Sequence, residues 1–353
     1  MNDGPTADEL RPEVLFSRPD FYLLEFGGAN GFFVRMTRDT YLRSIFTDRQ
    51  RIVAASTQAW GAPIANLMSQ YEAQNLPQPP LGFIFHLAHC GSTLLARALD
   101  QSPRLLVYRE PFPLRQLGAE FAAAANNAPG GNNWLRRLQL VTGLLGRTYG
   151  SSQAAIVKAN VPVNFMLPQL MDLNPESCGI LLYAQLRGYL LAVLKSPQHQ
   201  QWVSHVVREL AGGIRRVEIL ADVAPETLTP PQAAACLWLA QMWNFRQLAE
   251  SSGRVRSLDC ETLFDRPADV LAAAFALFGG ELAAEDIQAI VSGELFSHHA
   301  KTPGLRYDNA SRKAEQEKLA ETLGDQILEG VAWAAEIMAP QDVPQALPNP
   351  LLD

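Results

Sequence analysis

Short apolar runs and stripes of helical period alternate through the middle of the chain. Residues 83–87, 154–157, 179–183 and 215–220 each have the length and β-forming content of a buried strand, and residues 255–258 form a weaker one. Helical punctuation separates them. Thr229 before Pro230 and Pro231 predicts an N-cap with proline in the first turn, and Leu237, Trp238, Met242 and Phe245 repeat behind it at core spacing. A further helix is predicted from Pro267 to Phe278, stopped by Gly279 and Gly280. This alternation predicts an α/β fold, a three-layer and mostly parallel sheet with helices on both faces.

The two ends break the pattern. Residues 1–20 read as a flexible lead-in. Apolar residues 21–26 and 32–35 flank Gly27, Gly28, Ala29, Asn30 and Gly31 and predict a β-hairpin. Helical spacing follows from about residue 38 to 72, ended by Pro77, Pro79 and Pro80. Residues 1–80 are therefore expected to form an N-terminal extension or small subdomain and 81–338 the main domain. Residues 339–353, with four prolines, should form an irregular tail.

Charge and composition narrow the classes. With 36 acidic against 29 basic residues the chain carries a formal charge of −7, which argues against a nucleic-acid surface but leaves room for a local basic pocket. Cys90, Cys178, Cys236 and Cys260 form no paired motif, so no zinc ribbon, disulfide framework or other structural metal is expected. The polar, acidic start lacks the shape of a secretory signal. The best apolar stretch, residues 179–194, contains Gln185 and Arg187 and is shorter than the roughly 20 residues a bilayer needs. A cytoplasmic protein without a membrane span is expected; oligomeric state is not legible.

The chemistry concentrates where the first central strand ends. The run His86-Leu-Ala-His-Cys-Gly-Ser-Thr-Leu-Leu95 leads from a strand through Gly91 into an amphipathic helix. Unpaired N–H groups at a helix start favour an anion, hydroxyls of Ser92 and Thr93 add donors, and glycine lets a phosphate approach the backbone. The nucleotide-hydrolase loop GxxxxGK[ST] is not met, because Ser92 follows Gly91. A phosphatase loop His-Cys-x5-Arg is not met either, since the first arginine after Cys90 is Arg97.

Residues His89-Cys90-Gly91-Ser92-Thr93-Leu94-Leu95 resemble the phosphosulfate-binding loop of sulfotransferases that use 3′-phosphoadenosine 5′-phosphosulfate (PAPS). Glu110, in Val107-Tyr-Arg-Glu-Pro111, stands where several members of that superfamily carry a glutamate. The stretch Val157-Lys158-Ala-Asn160-Val-Pro162, followed by Leu167-Pro168, resembles the Lys-Thr-His-x-Pro…Leu-Pro stretch of the cytosolic members. The resemblance spans roughly residues 82–280. It implies a P-loop-type sheet and transfer of a sulfuryl group from PAPS to a hydroxyl or amine, with Glu110 and Lys158 as catalytic residues. Cofactor contacts would come from His89, Cys90, Gly91, Ser92, Thr93, Leu94, Arg187 and Lys301.

Several positions depart from that family. His89 replaces a loop lysine or arginine, Asn160 replaces the histidine of the cytosolic members, and Ala184 and Ala192 stand where an arginine and a serine hold the 3′-phosphate. Two other readings therefore stay open: a nucleotide-binding phosphotransferase using another donor, and a non-catalytic relative that binds an anion or a protein partner. His86, inside an apolar strand, is expected to be a satisfied core residue. The bland reading is likewise preferred for His298, His299 and Lys301, as a solvated loop.

Overall fold

The computed structural model describes residues 11–56, 58–124, 131–150, 153–338 and 346–352. Residues 1–10 of the expected lead-in and 339–345 of the expected tail lie outside these.

At its centre is a five-stranded sheet whose neighbouring strands all run parallel. Numbered along the chain after three N-terminal strands, its members are β4 (Gly82–His86), β5 (Leu105–Arg109), β6 (Ala154–Lys158), β7 (Cys178–Tyr183) and β8 (Val255–Asp259). Their spatial order is β5-β6-β4-β7-β8. Right-handed crossovers between strands in this order place helices on both faces of the sheet. The strands are almost wholly buried and rich in branched and aromatic residues, as a sheet covered on both faces requires. The connection that leaves β4 runs toward β5, whereas the one from its neighbour β6 crosses to β7 on the other side, so a switch point falls beside β4. The crevice beyond its carboxyl end is where folds of this kind bind ligands.

The helix start predicted at Thr229 is present: Thr229 and Gln232 form a reciprocal capping box on the Pro230–Ser251 helix. Residues 215–220 are not a strand. A short helix, Ala211–Arg215, and a 3-10 turn, Glu218–Leu220, take their place. The buried residues there are Leu210, Ile214, Val217 and Leu220, three to four apart, so the apolar spacing was helical and the short run concealed it.

The N-terminal residues build a second sheet of β1 (Phe21–Gly27), β2 (Asn30–Arg35) and β3 (Trp60–Pro63), all antiparallel. The hairpin expectation holds, with Gly28 in the left-handed region at φ 58. The single helix expected over 38–72 is divided instead into Arg38–Arg43 and Ile64–Ala73. The Asp48 carboxylate accepts the backbone N–H groups of Gln50 and Arg51, a local alternative to helix. Pro63 supplies no donor for a helix to run through.

This sheet shares the main core rather than standing apart from it. Asp100, fully buried, pairs with Arg109 at 3.1 Å and with Arg38 at 2.7 Å. Arg109 also donates to the Tyr41 carbonyl, while its own carbonyl accepts from the Thr47 N–H at 2.8 Å. The described part of the tail is tied down too. Asn349 and Leu351 exchange backbone hydrogen bonds of 2.8 Å with Ser257, covering the outer edge of β8.

Candidate active site

After β4 the backbone turns sharply. Ala88 (φ 70), His89 (φ 53) and Gly91 (φ 84) all adopt left-handed conformations before the Ser92–Leu99 helix begins. A side chain at Gly91 would place its Cβ 2.9 Å from the Phe264 ring, so both conformation and space demand glycine. Gly91 is the N-cap and offers no capping side chain. The first-turn N–H groups are therefore left for a ligand. The Thr93 hydroxyl, 3 % exposed, has no hydrogen-bond partner among the described residues. A buried orphan donor beside an uncapped helix start is the mark of an anion cradle. The Cys90 thiol is turned to the Leu182 carbonyl at 3.6 Å, and burial pushes its pKa up to about 11, which leaves the backbone as what Cys90 offers the loop.

Two further strand ends complete the site. Glu110 follows β5 in a left-handed conformation (φ 57), and its N–H reaches the Lys158 carbonyl at 2.8 Å. Three non-glycine residues in this costly region, all at strand ends facing one crevice, mark a site whose shape is imposed by its surroundings. The Lys158 ammonium, fully buried, donates to Glu110 Oε1, and Asn160 Nδ2 donates to Oε2 at 3.2 Å. Burial lowers the Lys158 pKa, and the Glu110 carboxylate opposes that shift. The ring of Phe46, from the N-terminal unit, lies 5.2 Å from the Lys158 ammonium and 5.9 Å from that of Lys301.

His86 is not a satisfied core residue. Its Nδ1 accepts the Ala88 N–H at 3.0 Å, whereas its buried Nε2 has no well-formed hydrogen bond among the described residues and lies 3.8 Å from Glu110 Oε1. His89 is neutral: burial, then Lys301, holds its pKa well below the usual histidine value. Its ring packs against His199 and Trp202, with centroids 5.0 and 5.3 Å away. Neither His199 nor Trp202 was legible in the sequence. They stand on the Pro197–Glu209 helix, which Ser196 caps.

These groups separate two cavities. The larger, about 630 Å³, is lined by Glu110, His86, Asn160, Phe112 and Trp202, and closed by Phe46, Arg49 and Arg51 of the N-terminal unit. The smaller, about 320 Å³, contains the Gly91–Leu94 segment with Lys195, Phe264 and Arg312. His89, Ser92, His199 and Lys301 line both and mark the junction. Lys301 sits between the paired strands β9 (His298–His299) and β10 (Thr302–Arg306). Its ammonium faces the open cleft yet is surrounded closely enough for desolvation to lower its pKa. That replaces the bland reading of this loop as merely solvated. Ala184 and Ala192 line the smaller cavity, and Arg187 is exposed and lines neither. Among the described residues no three His, Cys, Asp or Glu side chains are placed to hold a metal, and no helix is long and apolar enough to cross a membrane.

No protein-family model and no curated protein matches the chain. Among solved structures, a sulfotransferase domain of the curacin biosynthetic pathway overlaps with 70 % of this chain and 99 % of its own, at 14 % identity and a TM-score of 0.37. A sulfotransferase from Alicyclobacillus acidocaldarius covers 75 % of this chain and 97 % of its own at 14 % identity and a TM-score of 0.39. One from Mycobacterium avium covers 74 % and 80 % at 12 % identity and a TM-score of 0.37. The chemical reading rests on the residues of the two cavities.

Burial of the loop histidines has a measurable cost in acid. His86 and His89 are held neutral in the fold, with pKa values below those of the unfolded chain. Below about pH 6.5 the unfolded chain therefore binds protons that the native state refuses. Stability is complete above that value and is lost as pH falls toward the depressed native pKa values, by up to about 1.4 kcal/mol per pH unit for each histidine. Urea unfolding between about pH 7.5 and 5 should show this slope, reduced in His89→Gln. Equal slopes in the two proteins would contradict the assignment for His89.

Proposed function

We propose that the chain transfers a sulfuryl group from PAPS to a hydroxyl or amine. The observation that carries this reading is the meeting of two cavities across one loop. The smaller has an uncapped helix start and the orphaned Thr93 hydroxyl, and the larger has a carboxylate at its base. In this reading the donor lies in the smaller cavity, with its phosphosulfate on the Gly91–Leu94 segment. The acceptor lies in the larger, against Glu110.

Each residue then has a task the transfer requires. Glu110 takes the proton of the acceptor, and Lys158, buried and lining neither cavity, holds the Glu110 carboxylate. Lys301, which lines both cavities, balances the charge that grows on the departing phosphate, and the loop N–H groups hold the transferred oxygens. Cationic side chains reach the smaller cavity even though Ala184 and Ala192 supply none. Lys195 and Lys301 line it, and Arg312, paired with Glu261 at 2.6 Å, stacks over Phe264 at 4.2 Å. These residues favour a phosphorylated nucleoside with its base beside Phe264.

A second reading, a phosphotransferase or other nucleotide-binding enzyme with a different donor, is favoured by one observation: the two alanines face the donor cavity where a 3′-phosphate would need cations. Calorimetry separates the two. 3′-Phosphoadenosine 5′-phosphate should bind at least about tenfold more tightly than AMP, ATP or GTP, and Lys301→Ala should weaken it by about tenfold or more. Equal affinities for all four nucleotides would favour the second reading. Absence of any nucleotide binding would leave only a non-catalytic role.

A further inference from the structure

We propose that His86 is a further residue of the transfer site, the hydrogen-bond donor that seats the reacting oxygen of the acceptor. The proposal rests on the sulfuryl-transfer reading and adds a residue to it. Its basis is one proton. The imidazole is 4 % exposed, and its Nδ1 accepts the Ala88 N–H at 3.0 Å. A neutral ring that accepts at Nδ1 carries its hydrogen on Nε2. The ring lines the larger cavity, and its buried Nε2 lies 3.8 Å from Glu110 Oε1 with no well-formed hydrogen bond among the described residues, although the Ala159 carbonyl is near enough to favour the protonated ring.

Leaving a buried donor without a well-formed bond is costly, so one on a ring that lines a cavity points to a missing ligand. The separation suits an oxygen better than a direct contact. At 3.8 Å the His86–Glu110 pair is too long for a hydrogen bond, whereas one oxygen atom within reach of both closes a triangle. The carboxylate has room for it: Lys158 and Asn160 account for two of its roughly four acceptor positions.

The step then balances as follows. The acceptor hydroxyl donates its hydrogen to Glu110 and accepts the His86 N–H, which fixes the direction of its remaining lone pair. The new S–O bond forms as the S–O bond to the 5′-phosphate of PAPS breaks, the proton passes to Glu110, and the bisphosphate leaves with the bridging oxygen. His86 keeps its own proton throughout. Burial first, then Lys158 and Lys301, keeps the ring neutral, and the Ala159 carbonyl opposes them without reversing the shift.

Two substitutions separate this role from a structural one. In His86→Asn the side-chain oxygen can still accept the Ala88 N–H, but no donor reaches the cavity. In His86→Gln the amide extends to the cavity and restores a donor. The probe is orthovanadate, titrated into protein saturated with 3′-phosphoadenosine 5′-phosphate. Its five-coordinate form presents an apical oxygen in place of the incoming acceptor oxygen.

Bisphosphate affinity should be the same in all three proteins. Vanadate affinity should fall by about tenfold or more in His86→Asn and stay within about threefold of wild type in His86→Gln. Wild-type vanadate affinity in His86→Asn, or an equal loss in both variants, would overturn the proposal, as would a wild type that binds the bisphosphate but not vanadate. The ring nitrogen shifts of the unsubstituted protein give a check that needs no variant: they should show a protonated Nε2 and a bare Nδ1, and the reverse tautomer would overturn it. A wild type that binds no bisphosphate would bring down the sulfuryl-transfer reading itself.

Discussion

Glu110→Gln should lower sulfuryl-transfer turnover by about 10²–10⁴-fold while bisphosphate affinity changes little. The amide keeps the length of the side chain and still accepts from Lys158, but it cannot take a proton. The same change removes the counter-charge of Lys158, whose side chain is 1 % exposed. The variant should therefore also unfold at lower urea concentration. Transfer of labelled sulfuryl from PAPS, followed under single-turnover conditions, isolates the chemical step. If the glutamine protein keeps most of its turnover, Glu110 is a structural partner of Lys158 and the base lies elsewhere.

The largest effect on stability is expected at a residue that touches neither cavity. Asp100→Ala should cost about 3–5 kcal/mol, because it leaves the guanidinium of Arg109, 1 % exposed, buried without its counter-ion. Arg38 loses its partner in the same change. Since Glu110 follows Arg109 directly and holds a left-handed conformation, the loss should also loosen the carboxylate. Activity should then fall by more than the unfolded fraction accounts for. Urea unfolding measures the first effect and turnover per folded molecule the second. A shift below about 1 kcal/mol would mean that Arg109 finds enough compensation from the Tyr41 and Leu42 carbonyls alone.

What could be read from the sequence follows from how local each feature is. The anion loop is a strand, a glycine and two hydroxyl residues in direct succession, so its chemistry and geometry are encoded in about ten residues. Glu110 and Lys158 are far apart in sequence, but each stands at or just beyond the carboxyl end of a buried strand. The parallel order brings such ends together, and their pairing follows from strand assignment.

His86 shows the limit of that logic. Its burial was correctly expected from the apolar run. Burial does not say which ring nitrogen meets a partner, and here the second one finds no well-formed bond among the described residues. His199 and Trp202 escaped for another reason. On an amphipathic helix, polar and aromatic residues at surface spacing give no sign that the surface is the wall of a cleft. Residues 38–72 misled because helical spacing was counted across Asp48 and Pro63, whose local chemistry ends helices.

One feature of the fold bears on how such a protein can change over generations. The wall of the larger cavity formed by Phe46, Arg49 and Arg51 belongs to a segment anchored through Thr47 and Tyr41 to Arg109, yet the uncapped turn at Gly91 is built from β4 and the helix after it. Mutations at Phe46, Arg49 and Arg51, on either side of the Thr47 anchor, can reshape what the cleft admits while leaving the turn at Gly91 intact. Selection can then explore new molecules at one end of the crevice without reinventing the chemistry at the other, and duplicated copies would be expected to diverge first between residues 46 and 51.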